Sequence, residues 1–95
     1  MTDDSQTLHA RITGRVQGVW YRGWTVETAR SLGLAGWVRN RLDGSVEALF
    51  HGPATQVQAM ITACHQGPPS AEVEAVVTTP AAPPGYDWFQ KLPTE

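Results

Sequence analysis

Gly14-Arg15-Val16-Gln17-Gly18-Val19-Trp20-Tyr21-Arg22 is the stretch on which the reading of this chain turns. Before it, Leu8, Ala10 and Ile12 alternate with His9, Arg11 and Thr13, the two-residue period of a strand with one buried face. After it, Tyr21, Thr25, Thr28, Ala29 and Leu32 recur at helical spacing, and Gly33 suits the left-handed cap that ends such a helix. A glycine-punctuated turn between strand and helix can aim several backbone N–H groups into one concavity. The partial positive charge of the helix N-terminus is already there. Arg22, in the first helical turn, can add a planar fork of donors. The stretch therefore predicts a site for a phosphate-like group. It is not a Walker loop, since no Gly-Lys-Ser/Thr follows, nor a G-x-G-x-x-G dinucleotide turn. The local pattern taken alone also fits a plain tight turn with a solvated arginine.

Working outward, Leu34 to Asn40 reads as a second strand. Asp43-Gly44 is a hairpin signal before Val46, Ala48 and Phe50, which form the apolar face of a third strand. Gly52-Pro53 stops that strand, and Pro53 suits the first turn of a second helix whose apolar face is Val57, Met60, Ile61 and Cys64. Gly67-Pro68-Pro69 ends the helix. Val73, Ala75 and Val77, with Glu72 and Glu74 outward, predict a fourth strand. A proline-rich connection leads to a short edge strand within Tyr86 to Leu92, whose alternation Lys91 disturbs. The order β-α-β-β-α-β plus a tail strand is the split arrangement of α+β, ferredoxin-like two-layer sandwiches. Residues 1–6 are expected to be a flexible N-terminus, 7–92 a single domain and 93–95 a tail.

That topology joins what the sequence separates. A β-α-β unit returns the chain in the same direction, so the glycine turn and Asn40 fall at one end of the sheet. With the third strand between them, their backbones lie roughly 10 Å apart, and the side chains of Arg22 and Asn40 can reach a common group.

Ninety-five residues suffice for one two-layer core. Hydrophobic content of 41% with 17% charged residues is that of an ordinary soluble globule. No apolar run is long enough to span a bilayer, and the polar start Met1-Thr2-Asp3-Asp4-Ser5 has no signal-peptide pattern, so cytoplasmic residence and no membrane partner are expected. Cys64 is the only cysteine, which excludes an internal disulfide, a Cys-x-x-Cys site and a metallochaperone; its helical stripe predicts burial. A net charge of -2 and the lack of an RNP-type aromatic run argue against nucleic acid as a partner. Six arginines lie between positions 11 and 41, where Glu27 is the only acid, which concentrates positive potential around the opening stretch.

The opening stretch, followed by Gly36-Trp37-Val38-Arg39-Asn40 and Asp43-Gly44-Ser45-Val46-Glu47, resembles the paired signature of the acylphosphatases, over about residues 7 to 92. The resemblance implies a ferredoxin-like fold with an antiparallel sheet of order 4-1-3-2 and a short fifth edge strand. It implies hydrolysis of the carboxyl–phosphate bond of small acyl phosphates, with no metal and no cofactor. Its catalytic arginine falls on Arg22, its catalytic asparagine on Asn40, and its backbone phosphate cradle on Gln17, Gly18, Val19, Trp20 and Tyr21. Two positions depart from it: Tyr21 stands where phenylalanine is usual, and Lys91 where the tail strand is often apolar. The expected partner is a small acyl phosphate, and nothing demands more than a monomer.

The chemistry fits a short list of residues. A carboxylate leaving group, with a conjugate-acid pKa of about 4, departs unprotonated at neutral pH, so no general acid is required. The transition state is loose, and catalysis can be mostly positioning and electrostatics. No His, Asp, Glu or Cys lies between Gly14 and Tyr21 to form a phospho-enzyme, and no H-E-x-x-H or carboxylate cluster offers a metal site. Asp43 could act as a base, although its place before Gly44 favours a turn role. Arg15, Arg39 and Arg41 could steer anions or simply be solvated. His9 reads as a solvated strand residue and Trp37 as sheet packing. A non-catalytic anion-sensing module with the same cradle is the alternative to an enzyme.

Overall fold

A computed structural model describes residues 4–95. Its elements are β1 (Ser5–Arg15), α1 (Tyr21–Ser31), β2 (Ala35–Asn40), β3 (Val46–Pro53), α2 (Ala54–Cys64), β4 (Glu72–Pro80) and β5 (Phe89–Lys91). The sheet order is β4-β1-β3-β2-β5, so the expected 4-1-3-2 core and the short fifth edge strand are both present. Strand alternation sends Ala10, Ile12, Val38, Ala48 and Phe50 to one face, where they meet Ala29 of α1 and Val57, Met60 and Cys64 of α2. Helices of 11 residues are marginal in isolation, so this packed face, rather than propensity, holds them. Among the described residues no helix is long and apolar enough to cross a membrane.

The sheet is mixed rather than purely antiparallel. β1–β3, β1–β4 and β2–β3 pair antiparallel as expected, but β5 runs parallel to β2. The cause is directional. β4 ends beside the start of β1, with Pro80 opposite Leu8, and residues 81–88 cross that end of the sheet to its far edge. A strand laid down from there runs the way β2 runs. β5 therefore carries Lys91, opposite Val38, towards the end of the sheet where Asn40 lies.

Some local expectations change. An irregularity in the β1–β4 ladder at Thr13/Gly14 skips Glu74, and the alternation slips by one. Val73 and Val76 pack on the core as a result, whereas Val77 is 58% exposed. Gly14 belongs to that bulge, inside β1, rather than to the turn: at φ 118° a Cβ would run into the Glu72 carbonyl oxygen. Pro53 closes β3 and precedes the first helical residue instead of being it. β1 starts at Ser5, within the stretch expected to be flexible, and residues 1–3 of that stretch lie outside the described residues.

Candidate active site

β1, β2 and β5 all run towards one end of the sheet, and α1 begins there. The loop from Val16 to Trp20 turns through left-handed conformations at Gly18 (φ 74°) and at Trp20 (φ 67°, ψ 24°). For a non-glycine residue that conformation costs about 1–2 kcal/mol, a cost found mainly where function fixes the backbone. Trp20 is the residue that caps α1, with no side-chain cap bond, and the first turn carries no acid. The backbone bond from Trp24 N to Trp20 O, 3.0 Å, opens the helical ladder. The N–H groups of Tyr21, Arg22 and Gly23 lie before it and have no intrahelical acceptor.

The loop is tied to the end of β2 by a side chain for which the sequence suggested only a backbone role. Gln17 Nε2 donates to the carbonyl oxygens of Arg41 and Ser45, each at 2.8 Å. These are the residues around the β2–β3 turn, so the clamp fixes the cradle relative to Asn40. Asp43 holds the same turn by accepting from Ser45 N at 2.9 Å and Ser45 Oγ at 2.6 Å. Those bonds hold its carboxyl below the usual range, and Arg11 pairs with it. A turn role, not a general base, is what this geometry provides.

Between loop, helix start and strand ends lies a pocket of about 160 Å³, well below the roughly 300–1,000 Å³ that encloses a drug-sized ligand. Gln17, Gly18, Trp20, Tyr21, Arg22 and Asn40 all line it, so the structure brings the separated candidates together. Val19 is the exception: its side chain is buried in the core and does not line the pocket. Trp20 is 59% exposed at the mouth, its indole against Gly23. Gly23 and Lys91 line the pocket without having been singled out for it. The signal for Lys91 was the break in alternation that made the fifth strand look doubtful.

Of the arginines, most are spent elsewhere. Arg11 pairs with Asp43, Arg15 with Glu72 at 3.8 Å, and Arg39 with Glu47 at 2.7 Å and Glu95 at 3.0 Å. Arg41 reaches Glu47 at 3.4 Å, and Arg30 donates to the Phe89 carbonyl oxygen at 3.1 Å. His9 is not simply solvated, since its Nε2 lies 2.6 Å from Glu47 Oε2. Burial alone would raise the Glu47 carboxyl, but hydrogen bonds from His9 and Arg39 outweigh it and the net shift is downward. Trp37 packs on the sheet beneath the Arg39 guanidinium, 5.0 Å from its ring centre. Arg22 alone among the arginines lines the pocket, and among the described residues it has no carboxylate partner.

Asn40 supplies the other distinctive feature. Its Oδ1 is buried and has no hydrogen-bond partner among the described residues. An unsatisfied buried acceptor costs about 1–3 kcal/mol, and native proteins carry few of them. Among the described residues no three His, Cys, Asp or Glu side chains gather as a metal would need.

The hydroxyl that distinguishes Tyr21 from phenylalanine has a built partner. It donates to the Cys64 carbonyl oxygen at 2.7 Å, tying the start of α1 to the end of α2. Burial raises the phenol above its ordinary 10.0 and pushes the Cys64 thiol up to about 12 from 9.0. Both groups are therefore protonated in the fold and ionise more readily in the unfolded chain. The stability they contribute is complete below about pH 9 and is lost as pH rises towards about 12. Urea unfolding midpoints measured from about pH 8 to about pH 11 are expected to fall; a flat profile would contradict the burial of this pair.

The comparisons with known proteins agree with the geometry. The acylphosphatase family model matches residues 8–91. An acylphosphatase of Rhodospirillum rubrum is 63% identical over 89 residues, covering 94% of this chain and 98% of that protein. The solved acylphosphatase of Coxiella burnetii superposes with a TM-score of 0.90 at 29% identity, over 94% of each chain. That of Bacillus subtilis gives 0.87 at 34% identity, over 90% of this chain and 97% of that one.

Proposed function

The chain belongs to the acylphosphatase family, and from that premise we propose how its own residues perform the reaction. It is a hydrolase of small acyl phosphates, cleaving the carboxyl–phosphate bond to carboxylate and phosphate. In the proposed site the phosphoryl oxygens rest on the backbone N–H groups of the Gln17–Tyr21 loop and on the Arg22 guanidinium. The Asn40 carboxamide orients the attacking water. The water oxygen forms the new bond to phosphorus as the bond to the carboxylate oxygen breaks. The proton of the water passes to a phosphoryl oxygen of the substrate, and the carboxylate leaves unprotonated. No side chain need be a proton donor or a nucleophile.

One observation carries this reading: Arg22, which has no carboxylate partner among the described residues, and Asn40 line the same small pocket, at the start of an uncapped helix. Loose phosphoryl transfer asks for little beyond oriented donors and a positioned nucleophile. Metal independence is part of the proposal. Release of inorganic phosphate from acetyl phosphate is expected to be the same with and without excess EDTA. Loss of turnover in chelator, restored by a divalent cation, would overturn it. Absence of turnover in either condition would return the chain to the anion-sensing alternative. We propose that it acts as a monomer in the cytoplasm, where a lone free cysteine, buried in the core, stays reduced.

A further inference from the structure

Lys91 is the only lysine of the chain, and it stands where an apolar residue was expected. Its placement follows from the parallel edge strand. Phe89 faces the core and stacks on Phe50, 5.6 Å between ring centres. Two residues on, the strand period returns Lys91 to the same face, past the rim of the core and beside the start of α1. There it lines the pocket that Arg22 and Asn40 line. It also lines a second, more open groove of about 320 Å³ along α1 with Trp20, Gly23, Val26, Glu27 and Arg30. The two cavities share Trp20, Gly23 and Lys91, so Lys91 stands at their junction.

The phosphoryl group has its partners in the first cavity, which leaves the acyl group to extend into the second. Trp20 and Val26 offer that groove an apolar wall. Its charges are two cations, Arg30 and Lys91, against one carboxylate, Glu27. The Arg30 guanidinium is tethered to the Phe89 carbonyl oxygen, whereas Lys91 has no ion pair among the described residues. A carboxylate product needs no extra cation to leave, so the chemistry already described does not use this ammonium.

We propose that Lys91 and the groove beside it hold the acyl end of the substrate and favour acyl phosphates bearing a second anionic group, a carboxylate or a phosphate. The proposal rests on the placement of the phosphoryl group at Arg22 and Asn40. Lys91 is then a specificity residue and touches no reacting atom. A remote anion is held equally in the ground and transition states, so its contribution belongs in KM rather than in kcat.

The test compares benzoyl phosphate with 4-carboxybenzoyl phosphate, which differ only in a remote carboxylate. The wild-type protein is expected to favour the carboxylated substrate in kcat/KM. Lys91→Met lowers that preference about three- to fivefold, through KM, and Lys91→Arg restores most of it. Added salt narrows the preference of the wild type but not of Lys91→Met. An equal preference in wild type and Lys91→Met, with thermal melts showing both folded, would overturn the inference. Failure of the underlying site shows differently: Arg22→Ala would then turn over both substrates as the wild type does, whatever happens at position 91. A phosphate-bearing acyl phosphate in a third arm tells whether the ammonium prefers the dianion.

Discussion

Arg22→Ala should lower kcat/KM for acetyl phosphate by about 10²–10³-fold, the effect of losing about 3–4 kcal/mol from one preorganised donor of charge in the transition state. The expectation is large because the structure offers no substitute. Arg15, Arg39 and Arg41 are held by Glu72, Glu47 and Glu95, outside the pocket. Lys91 lines the pocket but presents a point charge without the planar fork that matches two phosphoryl oxygens. The substitution should leave the fold intact, since the side chain is partly exposed in the first turn of α1 and alanine is a good helix former. Arg22→Lys should recover only part of the rate. Phosphate release and a thermal melt on the same preparation check both halves, and near-normal turnover in Arg22→Ala would remove the guanidinium from the mechanism.

Asn40→Ala should lower kcat by a similar factor of about 10²–10³, but its signature on stability should have the opposite sign to that of most site substitutions. The wild-type residue keeps a buried acceptor unsatisfied, and deleting it removes a penalty of about 1–3 kcal/mol. The variant should therefore melt at or above the wild-type temperature while it is nearly inactive. For a chain of this length 1 kcal/mol corresponds to about 4–8 °C. Asn40→Asp separates shape from charge: it keeps the outline of the amide but sets an anion beside the phosphoryl oxygens, and it should be no more active than alanine. A destabilised Asn40→Ala would mean that the carboxamide holds the fold rather than the water.

The fold was legible because its elements carry unambiguous periods. Leu8-Ala10-Ile12 and Val46-Ala48-Phe50 could only be strand faces, and Val57-Met60-Cys64 only a helix stripe. The convergence of Arg22 and Asn40 was legible because a right-handed crossover leaves little choice of where strand ends meet. What escaped depended on pairing between distant segments. The slip that exposes Val77 arises opposite Thr13 and Gly14, and no pattern within residues 72–80 announces it. The ion pairs that occupy Arg39 and Arg41 follow from the register that sets β2 against β3, and the bond from His9 to Glu47 from that of β1 against β3. The direction of β5 depends on which end of the sheet residues 81–88 cross, and that direction decides that Lys91 reaches the pocket.

The pocket is assembled from residues 16–18, 20–23, 40 and 91, while α2 and β4 contribute no wall to it. They support it from behind, through the shared core and through the Cys64 carbonyl that anchors the Tyr21 hydroxyl. These two elements, about a fifth of the chain, are thus ballast, answerable to packing and not to chemistry. Drift there should register as a change in how many molecules are folded, with each folded molecule working at its old pace. The few positions around the strand ends, by contrast, have no such slack.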